Sequence, residues 1–192
     1  MNPRVVHHVR LAAACAVLLT WAHAAAGQGG GNEAALAVFH EHLNLYAALH
    51  RKLEGPLPPR ETAHQRFSDV VARRYLASAI RGARPSARQG DIIDPAAARV
   101  FRAIMAETCA TPDGALIARE FQGRAARPVP DPVVNEPYPI EAASVIPESV
   151  LQRLPALAED VEYRAVNDDL VLWDIHAQIV VDVLPDAFSC QR

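Results

Sequence analysis

A chain of 192 residues with 51% hydrophobic and 21% charged content can bury one core of its own, and that composition excludes global disorder. Its formal charge of −3 hides a division: residues 51–127 hold 14 Lys or Arg against 8 acidic residues, and residues 128–192 hold 3 against 12. The two halves either attract each other within one fold or offer a basic face to an anionic partner. Nucleic acid is not expected, because no platform of interleaved aromatic and basic residues is present.

The first segment reads as an export signal. Arg4 and Arg10 precede an apolar run from Leu11 to Trp21, and Ala22-His23-Ala24 and Ala24-Ala25-Ala26 both supply the small-residue pattern of a cleavage site. The run is shorter than the roughly 20 residues a membrane-spanning helix needs. Residues 1–26 are therefore expected to be a signal peptide, 27–192 a single mature domain without a transmembrane segment, and the location periplasmic or secreted. Cys15 falls inside the signal. Cys109 and Cys190 then remain together in an oxidising compartment, where a disulfide is the expected outcome.

Asn32 is the predicted N-cap of a first helix whose apolar arc contains Val38, Phe39, Leu43, Leu45, Tyr46, Leu49 and Leu53. Gly55 and the prolines after it end that helix. A second helix is expected from about Thr62 to Ala83, its apolar residues spread around the wheel as if meeting more than one neighbour. Asp94-Pro95 supplies an N-cap followed by proline at the first helical position, opening a third helix that carries Val100, Phe101, Ile104 and Met105. A short fourth helix is expected from Pro112 to Phe121.

Five prolines between Pro128 and Pro139 exclude both helix interior and central strand there. Val133, Val134, Tyr138 and Ile140 give this connector apolar surface to bury, so it is expected to lie as a strap across the domain. Pro147 opens a one- or two-turn helix through Leu154. Three strands follow, broken at Asn167-Asp168 and between Asp174 and Ala177, to give an antiparallel meander. Leu170 and Leu172 fall on one face, Val171, Trp173 and Ile175 on the other, so both faces call for cover, from the strap or from a second subunit. The expected fold class is α+β: an N-terminal helical body of about four helices (32–122), a Pro-rich connector (127–147) and a C-terminal three-stranded meander (161–184).

Chemistry is thinly marked. His40 and His42 point about 200° apart on a helix, and His42 and His50 lie about 12 Å apart along its axis, so neither pair shares an ion. The i, i+4 histidine pair of zinc-binding helices is absent, and no metal ligand is assigned. His42, within the first helix's apolar arc, is either a satisfied core histidine or a ligand contact in a pocket. His176, beside Asp174 at a hairpin end, is the other candidate. Glu159, Asp160 and Glu162 read as a solvated surface protecting a sheet edge. There is no G-x-S-x-G frame, no phosphate-cradling glycine loop and hence no catalytic residue to name.

Phe39 to Tyr46 with His50, then Ala87-Arg88-Gln89-Gly90-Asp91-Ile92, resemble a set of uncharacterised exported bacterial proteins. So do Leu154-Pro155, Val161-Glu162-Tyr163-Arg164, Asp169-Leu170-Val171-Leu172 and Ile179-Val180-Val181-Asp182. The resemblance covers most of the mature chain and implies export without an activity. Tyr163 through Leu184 is also similar to the terminal β-hairpin of periplasmic nickel–cobalt homeostasis accessory proteins. That likeness brings no metal ligand with it, and the helical body departs from those proteins.

The expectation is an exported envelope protein without a cofactor, acting by binding a protein partner, a second copy or a ligand. A periplasmic metal-binding protein is the first alternative and a hydrolase with a dispersed site the second. His42, His176 and Asp174 are the candidate ligand residues, and Cys109 and Cys190 the candidate disulfide.

Overall fold

The computed structural model describes residues 12–55, 65–111, 114 and 129–189, with side chains described from residue 29 in the first helix and from residue 69 in the second. The side chains of the expected signal segment, nearly all of the expected helix at 112–121, and Cys190 lie outside the described residues.

Helix α1 spans Ala12–Glu54, so Asn32 is an interior residue and not the expected N-cap. Alanines on both sides of Gly29-Gly30-Gly31 have the highest helix propensity, which offsets glycines costing about 1 kcal/mol each. The helix ends as expected at Gly55, whose N–H bonds the Arg51 carbonyl. Its buried stripe is Ala35, Phe39, Leu43, Tyr46, Ala47 and His50. This stripe is narrower than the apolar arc of the sequence, since Leu45 is 65% exposed.

Helix α2 (Gln65–Ala83) buries Leu76, Ala77 and Ile80, while Val71 and Tyr75 face out. Helix α3 (Pro95–Cys109) starts where Asp94-Pro95 predicts: Asp94 Oδ1 accepts from the N–H groups of Ala96 and Ala97, both at 2.8 Å. It buries Ala97, Val100, Phe101 and Met105. Phe39 and Phe101 meet edge-to-face, 5.1 Å between centroids, and lock α1 to α3. Among the described residues no helix is long and apolar enough to cross a membrane.

The sheet is antiparallel, ordered β1 (Ser144–Val145), β2 (Val161–Val166), β3 (Asp169–Asp174) and β4 (Val180–Leu184). It thus has four strands where three were expected. The extra strand pairs Ser144 with Ala165 and Val145 with Arg164, capping an otherwise open edge of β2. Two residues are too short to show a period of two, so nothing in their pattern announces a strand. A single-turn helix, α4 (Glu148–Leu151), follows Pro147. Asn167, at φ 52°, turns the β2–β3 hairpin.

Both sheet faces are buried. Tyr163, Ala165, Leu170, Leu172, Val181 and Leu184 join the helices in the main core. Val166, Val171, Trp173, Val180 and Val183 form a second cluster with Tyr138, against which Val129, Val134, Ile140, Ala142 and Ala143 pack. The second face is therefore met by residues of the same chain. Asn135 N–H bonds the Val180 carbonyl, Val180 N–H the Glu136 carbonyl, and Tyr138 N–H the Gln178 carbonyl, which ties this segment to the far edge of β4.

A register shift opposite Leu172 and Trp173 inserts one extra residue in β4. Val181 and Asp182 then both point to the helix side. There Asp182, fully buried, accepts from the N–H groups of Gly90, Ile92 and Ile93 at 2.7–2.8 Å and from its neighbour Val183 at 2.8 Å. The alternation of β3 likewise aims Asp174, its last residue, at the C-terminal turns of α1.

Candidate metal centre

Tyr46, His50 and Glu54 continue the buried stripe of α1 at i, i+4 and i+8, so the stripe that packs the core also carries polar groups to its end. Asp174 meets them from β3 and is fully buried. Its Oδ1 accepts from the backbone N–H groups of His176 at 2.9 Å and Ala177 at 2.7 Å, which shapes the β3–β4 turn. Its Oδ2 accepts the Tyr46 hydroxyl and the His50 Nδ1, each at 2.6 Å. Burial, and then the neighbouring Asp174, raise the Tyr46 pKa well above the ordinary phenol value, so the hydroxyl remains a donor.

A carboxylate holding two backbone N–H groups and a phenol is an acceptor only, which assigns the proton between it and His50 to Nδ1. Nε2 then bears the lone pair when the ring is neutral and the second proton when it is charged. It stands 3.2 Å from Glu54 Oε2, a hydrogen bond when Nε2 carries a proton, and 3.8 Å from Asp160 Oδ1. A lone pair aimed at two carboxylates is repulsive unless a cation stands between them, either a proton or a metal ion. Burial alone pushes the His50 pKa down, but the hydrogen bond and charge of Asp174, followed by the charges of Asp160 and Glu54, carry it above its ordinary value.

His176 completes the cluster from the turn. Its Nδ1 lies 2.9 Å from Glu54 Oε1 and 3.8 Å from Asp160 Oδ1. The first contact is close but out of hydrogen-bond alignment, and this buried nitrogen has no hydrogen-bond partner. The loop bearing Asp160 is fixed by its own carbonyl, which accepts the Ile175 N–H at 3.1 Å. Single ligand atoms from His50, Glu54, Asp160 and His176 all lie within 4.8 Å of one another. Donors about 2.0–2.2 Å from one ion stand roughly 3.3–3.6 Å apart in a tetrahedron, so this spacing fits one cation after side-chain adjustments of about an ångström.

Two imidazoles and two carboxylates suit divalent zinc, nickel, cobalt, copper, iron or manganese better than calcium or magnesium, which take oxygen alone. The Asp174–His50 pair supplies the carboxylate–histidine support that fixes the tautomer of a metal-bound imidazole and raises its basicity.

Of the residues expected from sequence, His176 and Asp174 belong to this cluster, one as a ligand-bearing group and the other as its support. His42 does not. It is half-buried and lines a separate cleft with Leu45, Tyr46, Leu49 and Arg84. Cys109 ends α3, and Cys190 lies outside the described residues. His50, Glu54 and Asp160 are not among the candidate residues expected from sequence. The spacing His50-x-x-x-Glu54, which puts two ligand types on one helical face, is the signal for them that the sequence holds. Asp160, expected on a solvated surface, has a side chain only 14% exposed because the hairpin and α1 close over it. Compared with known protein families, curated proteins and solved structures, the chain matches none.

Proposed function

We propose that this is an exported metal-binding protein that takes one divalent first-row transition-metal ion on His50, Glu54, Asp160 and His176. One observation carries the reading. With Nδ1 committed to Asp174, the buried Nε2 of His50 is left facing two carboxylates with a second imidazole nitrogen beside them, an arrangement that calls for a cation. The ligands come from α1, from the loop before β2 and from the β3–β4 turn, so an ion there joins the helical body to the sheet and its binding adds to folding stability. Export rests on the signal-like sequence of residues 1–26 alone.

The test is calorimetric titration of chelator-stripped mature protein with Zn(II), Ni(II), Co(II) and Cu(II), repeated on His176→Ala and Glu54→Gln. The expected result is a 1:1 isotherm for at least one of these ions, weakened at least about tenfold in each variant. Cobalt should add visible ligand-field bands of a low-symmetry N/O site. Absence of binding to all four ions, or binding untouched by both substitutions, would leave a protonated His50 as the cation and overturn the proposal.

A further inference from the structure

The geometry points to a second ligand site, for a small monoanionic carboxylate with an apolar tail, in the cleft between α1 and the loop after α2. It borders Tyr46, which supports the metal centre through Asp174, but takes none of that centre's four ligand residues. The cleft, about 340 Å³, is lined by His42, Leu45, Tyr46, Leu49, Arg84, Asp91 and Ile92. That volume is at the small end of the range for organic ligands.

Two buried nitrogens in its lining have no hydrogen-bond partner, Arg84 Nη1 and His42 Nδ1. A guanidinium is always charged and has only donors, and leaving a buried donor unpaired is costly. Arg84 is also held in place. Its guanidinium carbon stands 5.0 Å over the Tyr46 ring, while its backbone carbonyl accepts the Asn135 side chain at 2.7 Å and the Ala87 N–H at 3.0 Å. The cation is thus fixed by its surroundings and lacks only an anion.

The rest of the lining selects which anion. Leu45 is 65% exposed although it sits one residue from the buried stripe of α1, and with Leu49 and Ile92 it makes an apolar wall beside the guanidinium. A chain or ring attached to the anion would cover that wall. Asp91, also in the lining, faces an incoming ligand with a negative charge that Arg88 offsets only across 3.6 Å. One guanidinium, one imidazole and a nearby carboxylate suit a single negative charge and disfavour a phosphate dianion. The carboxylate would sit in the plane of the guanidinium fork and its tail on Leu45 and Leu49.

The experiment is a titration of the 15N-labelled full chain with hexanoate, hexanol and inorganic phosphate, followed by amide and Arg side-chain NMR signals. The expected result is saturable shifts for hexanoate at residues 42, 45, 49 and 92 and at the Arg84 Nε–H, with a Kd on the order of 1 mM for so few atoms. Arg84→Gln should weaken it by about tenfold or more. Leu45→Glu, on an exposed helix position that leaves the core untouched, should do the same by placing a tethered carboxylate beside Arg84. Shifts that do not saturate, hexanol or phosphate binding as tightly as hexanoate, or hexanoate binding unchanged in Leu45→Glu would each overturn the proposal.

Discussion

Asp174 and His50, 124 positions apart in the chain, meet through a 2.6 Å contact with both residues fully buried. This pair joins the end of β3 to the end of α1 and decides which imidazole nitrogen is left for the cluster. It also makes Asp174 answerable for two things at once, the shape of the β3–β4 turn and the direction of the His50 lone pair.

Asp174→Asn should therefore weaken metal binding by about 10–100-fold, the usual effect of losing a carboxylate behind a ligating histidine. An amide keeps only one acceptor oxygen where the carboxylate serves Tyr46, His50 and two backbone N–H groups, so folding stability should fall by about 2–4 kcal/mol. Urea unfolding with and without saturating metal separates the two effects. Equal metal affinity in the variant would mean that His50 is oriented by packing alone.

Asp182 makes a different prediction because it touches no ligand. Its buried carboxylate gathers the N–H groups of Gly90, Ile92 and Ile93 and pins the loop between α2 and α3 to β4. Asp182→Ala leaves those buried donors unpaired and should cost about 3–5 kcal/mol, with metal affinity unchanged in the protein that remains folded. Asp94→Ala, which removes only the cap of α3, should cost about 1 kcal/mol. Denaturation midpoints of the two variants, measured side by side, check the ranking.

Local grammar made much of the fold legible. Asp94-Pro95 marks the start of α3, Gly55 the end of α1, and the alternation of Leu170 to Trp173 assigns those residues to the faces on which they lie. These features depend on neighbours a few residues away. The edge strand Ser144–Val145 depends on β2 accepting a partner, which a two-residue segment cannot announce. The cluster was hardest to see for the same reason. Asp160 and His176 become neighbours of Glu54 only when the hairpin folds back on α1, and His50 looks like one more residue of an apolar stripe until Asp174 is beside it.

The cysteines carry a prediction that rests on the sequence and on the proposed export. Protein purified from an oxidising compartment should be lighter by two hydrogens than the dithiol form and yield a cross-linked Cys109–Cys190 peptide. Closing a loop of about 80 residues should stabilise by about 4 kcal/mol in the chain-entropy model, less any strain. Two freely alkylated thiols in protein taken from that compartment would refute the pairing.

The pH response separates a proton from a metal ion at His50. In the metal-free protein the folded-state pKa of His50 is raised above its ordinary 6.5, so protonation favours the folded chain. The resulting stabilisation is fully present below about pH 6.5 and is lost as pH rises through the folded value. A metal ion reverses the trend, because it competes with the proton for Nε2 and its affinity should rise over the same interval. Stripped protein should thus unfold more readily on going from pH 6 to pH 9, and protein with saturating metal should resist that loss. His50→Gln should flatten the metal-free profile over the interval. An unchanged slope in that variant would assign the pH dependence to another group and remove His50 as the cation-bearing centre of the cluster.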